Sequence, residues 1–143
     1  MDIQDFEPRC LTDGIPTVMS KVTLLPDGIV FWELQDETII GAERVATIML
    51  QGVQETGKPT CLMVDMSQGG RGTRHETNTY SRFLKHHPLD AVAVFGLSTG
   101  LRVVVQTVCI LAGFHNIHFF KNKADALGSL RAIRAKAQSN IKV

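Results

Sequence analysis

The chain has 143 residues, of which 44% are hydrophobic and 20% are charged, and this matches the size and composition of one folded domain. These values exclude a disordered chain, a collagen-like or coiled-coil repeat and a small disulfide-stabilised protein. The formal net charge is only +1 and no basic patch is interleaved with aromatics, so the sequence gives no support to nucleic-acid binding.

The first part of the chain predicts an arm, a hairpin and a helix. Residues 1–16 show no periodicity and are predicted to form an N-terminal arm. Residues 17–25 and 29–34 have strand composition on either side of a Pro-Asp-Gly turn, which predicts a β-hairpin. From residue 41 apolar side chains recur at helical spacing until Gly57, which predicts an amphipathic helix.

Strands and helices alternate through the rest of the chain. Short apolar runs predict three strands, at residues 60–66, 91–97 and 117–120. Helices are predicted after each of them: one that starts at the T-x-x-E capping box of Thr73 and Glu76, one over residues 101–113, and one that begins at Asn122.

The predicted element order is β-β-α-β-α-β-α-β-α. Alternation of this kind specifies an α/β fold in which a mostly parallel sheet is flanked by helices. A single domain is therefore predicted over residues 17–137, followed by a C-terminal tail at residues 138–143. The sequence shows no internal repeat and no second domain.

The cysteines and the hydropathy pattern bear on location. Cys10, Cys61 and Cys109 lie far apart and include no CxxC pair, which is typical of a reducing compartment. The first ten residues are acidic and lack the apolar segment of a signal peptide. The most apolar stretch, residues 103–114, is too short to span a bilayer. We therefore expect a cytoplasmic protein without a membrane span.

Three segments carry a resemblance to a known family. They are the apolar strand that ends at Asp65, the strand-to-helix step with Ser98 and Arg102, and the closing segment from Phe120 to Leu130. In this order and spacing, over about residues 20–135, they resemble the bacterial SpoIIAA-like family, which is related in fold to STAS domains and more distantly to CRAL-TRIO lipid carriers. The resemblance implies a compact α/β domain with a five-stranded mixed sheet.

That resemblance does not imply one activity. STAS relatives are phosphorylatable antagonists of anti-sigma factors, whereas SpoIIAA-like members have been thought of as carriers of nonpolar molecules. Two classes of function, regulatory interaction and ligand carriage, therefore follow from it.

The turn Ser98-Thr99-Gly100, with Arg102 just after it, is predicted as an anion site. Backbone N–H groups at the start of a helix and a guanidinium suit the carboxylate or phosphate head group of an amphiphile. The alternative is that Ser98 or Thr99 only caps the helix while Arg102 pairs with a nearby acid.

The predicted helix at residues 101–113 is apolar on nearly every side and needs apolar neighbours beyond the sheet. A second subunit is the leading expectation for its other side, followed by a bound hydrophobic ligand, and a neighbouring helix is the remaining alternative. We expect a homodimer and a ligand whose tail contacts this helix. The six residues predicted to bind the ligand are Ser98, Thr99, Gly100, Arg102, Val105 and Cys109.

Ser67 is a possible phosphoacceptor. It follows Asp65 about where STAS antagonists carry their phosphorylated serine, although the chain reads DMSQGG and lacks the D-S-S-G pattern of that family. The alternative is an ordinary loop serine in a local turn. The glycine-rich residues 69–72 match neither common phosphate-binding pattern and are predicted to be a flexible connector.

No enzyme, metal or cofactor is predicted. Asp65 and His75 could be combined with a serine into a hydrolase triad, but the sequence contains no G-x-S-x-G elbow. His115 and His118 are three residues apart, which on a strand places their side chains on opposite faces and prevents a shared metal.

The leading hypothesis is a non-enzymatic SpoIIAA-like binding domain that carries or senses a small nonpolar or amphiphilic molecule. The alternative is a STAS-like module that binds a regulatory protein partner under the control of Ser/Thr phosphorylation. A hydrolase is the remote alternative.

Overall fold

The structure is a computed structural model and describes residues 8–68 and 73–141. Within these ranges it has six strands and four helices. The strands are β1 (Arg9–Cys10), β2 (Lys21–Leu24), β3 (Ile29–Glu33), β4 (Cys61–Asp65), β5 (Ala91–Phe95) and β6 (Ile117–Phe119). The helices are α1 (Ile39–Thr56), α2 (Arg74–His86), α3 (Thr99–Ala112) and α4 (Lys123–Ile141).

All six strands form one mixed sheet in the order β1-β2-β3-β4-β5-β6. Strand β2 is antiparallel to its neighbours β1 and β3, and β3 to β6 are parallel. The register places Trp32, Val64 and Val94 side by side across the three central strands. Successive parallel strands are joined by α1, α2 and α3, which are the crossover connections that a parallel sheet requires.

The handedness of these crossovers decides where the helices lie. Strand–helix–strand connections are right-handed, and each one here moves one strand further in the same direction. Helices α1, α2 and α3 therefore share one face of the sheet, and α4 covers the other. Successive strand residues point to opposite faces of the sheet. Val30 and Trp32 pack under the three helices, whereas Ile29 and Phe31 pack under α4.

Helix boundaries follow local signals that are visible in the sequence. The Thr38 hydroxyl accepts a hydrogen bond from the Gly41 N–H at 3.1 Å and caps α1, which ends at Gly57 with a φ of 67°. Asn122 caps α4 by accepting a hydrogen bond from the Asp125 N–H at 2.9 Å. The ends at Gly57 and Asn122 agree with the prediction, whereas α1 begins at Ile39, two residues before the predicted start.

The α/β class and the mixed sheet flanked by helices are confirmed. The expected number of five strands is too low, because the predicted arm contributes β1, where Arg9 and Cys10 pair with β2. Two residues are too few to show the alternation that marks a strand in a sequence. At the other end, α4 continues to Ile141, past the predicted domain boundary at residue 137.

We predict that Leu130→Ala destabilises the domain much more than Lys136→Ala, although both residues lie on α4. Leu130 is only 1% exposed in the cluster beneath α4, and deleting such a side chain costs about 2–5 kcal/mol. Lys136 is exposed, and its loss should change stability by no more than about 0.5 kcal/mol. Urea unfolding of both variants measures the difference, and equal free energies of unfolding would contradict the packing of α4 on the sheet.

Candidate functional site

A cavity of about 90 Å³ lies between the sheet and the helices α2 and α3. The cavity is partly open to solvent. A water molecule needs roughly 10–15 Å³ of such space, so the cavity is larger than the gaps of a close-packed interior. Its wall is almost entirely apolar. The main contributors are Trp32, Val64 and Val94 from the sheet, Tyr80 and Phe83 from α2, and Val105 and Cys109 from α3.

Short side chains line the cavity on the α3 side. Where α3 borders the cavity it presents Val104, Val105 and Cys109, and the strands beneath present Val64 and Val94. Burial raises the pKa of the Cys109 thiol, so this cysteine forms part of the apolar wall rather than a reactive thiolate.

One polar side chain in the cavity wall, Glu76, is fully buried yet satisfied. Its Oε1 accepts hydrogen bonds from the Thr73 hydroxyl at 2.7 Å and from the Thr73 backbone N–H at 3.4 Å, and the second is the bond expected at the predicted capping box. Its Oε2 accepts one from the backbone N–H of Glu37 at 3.2 Å. The carboxyl group therefore fixes the start of α2 to the segment that follows β3.

Glu37 extends this network on the other side. Its buried carboxylate accepts hydrogen bonds from the backbone N–H groups of Met19 at 3.0 Å and Ser20 at 2.6 Å. The Nε2 of His75 donates to the Glu37 carbonyl oxygen at 2.7 Å. Two buried acids thus tie the loop before β2, the loop after β3 and the start of α2 together.

Trp32 and Tyr80 form an aromatic pair in the wall. Their ring centroids are 4.8 Å apart and their planes are inclined at 74°, which is the favourable edge-to-face arrangement. Burial raises the pKa of the Tyr80 hydroxyl, and Glu76, Glu37 and Asp36 raise it further. Trp32 and Tyr80 were not identified as site residues from the sequence. They are the single tryptophan and the single tyrosine of the chain, and both occupy inward-facing positions.

The six predicted ligand-binding residues divide into two groups. Val105 and Cys109 line the cavity. The residues of the turn, Ser98 to Gly100, and the side chain of Arg102 are exposed at the start of α3. The Arg102 guanidinium lies over the Phe119 ring, 4.8 Å from its centroid. Of the six residues, the structure therefore places only Val105 and Cys109 in the cavity wall.

The possible phosphoacceptor Ser67 is exposed next to Asp65. Its hydroxyl donates to Asp65 Oδ1 at 2.7 Å, and its backbone N–H donates to the same oxygen at 2.9 Å. These bonds form an Asx-turn in which Asp65 is the acceptor, whereas the predicted alternative was a turn made by the serine hydroxyl itself. The predicted connector at residues 69–72 lies outside the described residues.

The residues considered for hydrolysis or metal binding take up other roles. Asp65 is bonded to Ser67, whereas His75 is bonded to the backbone of Glu37. His115 and His118 are both exposed. In residues 8–68 and 73–141 no three potential ligands are grouped closely enough to hold a metal ion.

No protein-family model matches the chain, and neither a search of curated proteins nor one of solved structures found a match. The resemblance to the SpoIIAA-like family therefore stays a prediction that rests on three sequence segments. Across the described part of the chain, every helix is too short or too polar to cross a bilayer.

We predict that Tyr80 ionises in the native state only at a higher pH than in the unfolded chain, where its pKa is about 10. Because only the unfolded state then loses the proton, the free energy of unfolding falls as the pH rises above about 10, by up to about 1.4 kcal/mol per pH unit. As Tyr80 is the only tyrosine, phenolate absorbance in native and in denaturing buffer reports it directly. Coincident titration curves would contradict the burial of its hydroxyl.

Proposed function

We propose that this chain is a non-enzymatic binding domain that carries or senses a small nonpolar molecule, held in the cavity between the sheet and the helices α2 and α3. The observation that carries the proposal is the cavity itself, about 90 Å³ with an almost entirely apolar wall. Val105 and Cys109, predicted as ligand contacts from the sequence, lie in that wall.

The energetics favour an occupant. Burying an apolar ligand against this wall contributes about 0.8 kcal/mol for each methylene that leaves water. This contribution supports binding of a small hydrocarbon-like molecule without any charged group.

Family and location are also part of the proposal. A SpoIIAA-like topology is supported by the order β-β-α-β-α-β-α-β-α, which the elements from β2 to α4 follow. A cytoplasmic location is supported by the three cysteines, which are all free. The amphiphile with its head group at Arg102 remains the more specific form of the hypothesis, and it would need a tail that passes from the exposed turn into the cavity.

Control by phosphorylation has weaker support. Ser67 is exposed and accessible to a kinase. Its hydroxyl, however, already donates to the Asp65 carboxylate, so a phosphate there would lie against a like charge and would lose this hydrogen bond. The geometry favours ligand binding over a phosphorylation switch.

The proposal includes a homodimer, and the support for it is the exposed apolar outer face of α3. Val103 and Ile110 lie two turns apart on one stripe of this helix and are 60% and 78% exposed, and Leu111 beside them is 59% exposed. Contiguous exposed apolar side chains mark interaction surfaces. A second copy of the chain would bury this stripe against itself around a two-fold axis.

We predict that Val105→Phe abolishes binding of benzene while Val103→Phe retains it. Both variants make the same change on the same helix, but Val105 lines the cavity and Val103 is exposed. The larger ring occupies the space that the probe needs, so affinity should fall at least tenfold. The fluorescence of Trp32, the only tryptophan, follows the titration because its side chain is in the cavity wall.

Native mass spectrometry of freshly purified protein, compared with the denatured sample, complements this test. A mass that is present natively and released on denaturation would identify the physiological ligand. Absence of benzene binding by the unmodified chain would overturn the proposed function, and so would equal binding by the two variants.

We predict that Ile110→Lys converts a dimer into a monomer, because a buried lysine without a partner is costly in an apolar interface. Met19→Lys serves as the control, since Met19 is 60% exposed in a loop away from α3. Sedimentation velocity over a range of concentrations distinguishes the two. A monomeric unmodified chain would refute the proposed dimer and leave the cavity proposal intact.

A further inference from the structure

Two polar atoms on the side chains that line the cavity have no hydrogen-bond partner among the described residues. They are the indole Nε1 of Trp32 and the hydroxyl oxygen of Tyr80. Both side chains are more than nine-tenths buried, with exposed fractions of 6% and 8%. Their rings touch edge to face in one part of the wall.

This pair is unusual because buried donors are nearly always paired. The neighbouring Glu76 of the same wall already accepts hydrogen bonds at both carboxyl oxygens from other residues, and neither Trp32 nor Tyr80 donates to it. An indole N–H can only donate, and a phenol can donate its proton, so the pair offers two donors and calls for an acceptor.

We propose that the ligand of this cavity is a neutral apolar molecule with one acceptor oxygen, such as a ketone, that receives hydrogen bonds from the Trp32 indole and the Tyr80 hydroxyl. This inference rests on the proposed function and narrows it to a class of ligand. A carbonyl oxygen has two lone pairs and can accept from both donors at once. Both atoms are buried, so the oxygen reaches them through a side-chain rearrangement of the kind that is common on binding.

The charges around the pair select a neutral acceptor. Glu76, Glu37 and Asp36 act on the Tyr80 hydroxyl with negative potential, which disfavours an anionic oxygen beside it. Arg102, the cation that was predicted to bind a head group, is exposed and lies over Phe119 rather than in the cavity wall. A carboxylate buried at this position would have no positive partner among the described residues of the wall.

The test uses two probes of the same shape, cyclopentanone and methylenecyclopentane, which differ in carrying C=O or C=CH₂. Since the chain has one tryptophan, its indole N–H gives a single cross-peak in a ¹H–¹⁵N spectrum. Binding of cyclopentanone should move the resonance of that indole proton downfield, because the proton then forms a hydrogen bond to the ketone oxygen. Methylenecyclopentane should bind without this shift.

Tyr80→Phe removes one of the two donors without changing the shape of the wall. It should weaken cyclopentanone binding about threefold to tenfold and leave the affinity for methylenecyclopentane unchanged. Thr79→Val is the matched control, because it also deletes a hydroxyl from a buried residue of α2 but lies outside the cavity wall. It should alter neither affinity.

Each outcome has a distinct meaning. If neither neutral probe binds, the proposed function fails and this inference fails with it. If both bind and Tyr80→Phe weakens them equally or not at all, only the acceptor assignment is overturned. Tighter binding of cyclopentanecarboxylate than of cyclopentanone would overturn the choice of a neutral ligand.

Discussion

The right-handedness of strand–helix–strand crossovers determines most of this architecture. Four parallel strands follow one another in sequence order across the sheet, so their three connecting helices must share one face. Helices α2 and α3 consequently lie next to each other above β4 and β5, and the space that their side chains fail to fill becomes the cavity. The opposite face is left to α4, the one helix that follows the last strand.

Much of the fold was accessible from local sequence patterns. Continuous apolar runs such as residues 91–95 identify strands covered on both faces, and caps such as Asn122 identify where helices begin. Strand β1 was missed because its pairing with β2 is a tertiary contact made by two residues of ordinary composition. The end of α4 was missed because polar residues near the C-terminus give no stop signal comparable to Gly57.

Only part of the candidate site can be predicted from local sequence patterns. Periodicity identifies Val105 and Cys109 as apolar positions on a helix, which is enough to suggest a ligand or a subunit beside them. It cannot show that Trp32 of β3 and Tyr80 of α2 meet, since their contact depends on how a strand and a helix 48 positions apart are layered. It also cannot show that Arg102 stacks on Phe119 instead of lining the cavity, because that contact depends on how α3 packs beside β6.

The two helices that wall the cavity are held in place by different interactions, and this difference affects how fast a ligand can exchange. Glu37 and Glu76 anchor the start of α2 through buried hydrogen bonds, so moving that helix would break several of them. Helix α3 is rich in valine, which has low helix propensity, and its inner side borders the void. Displacement of α3 breaks none of those hydrogen bonds and would widen the route to the cavity. A subunit docked on the outer stripe of α3 would hold that route shut, so residence time would lengthen with protein concentration.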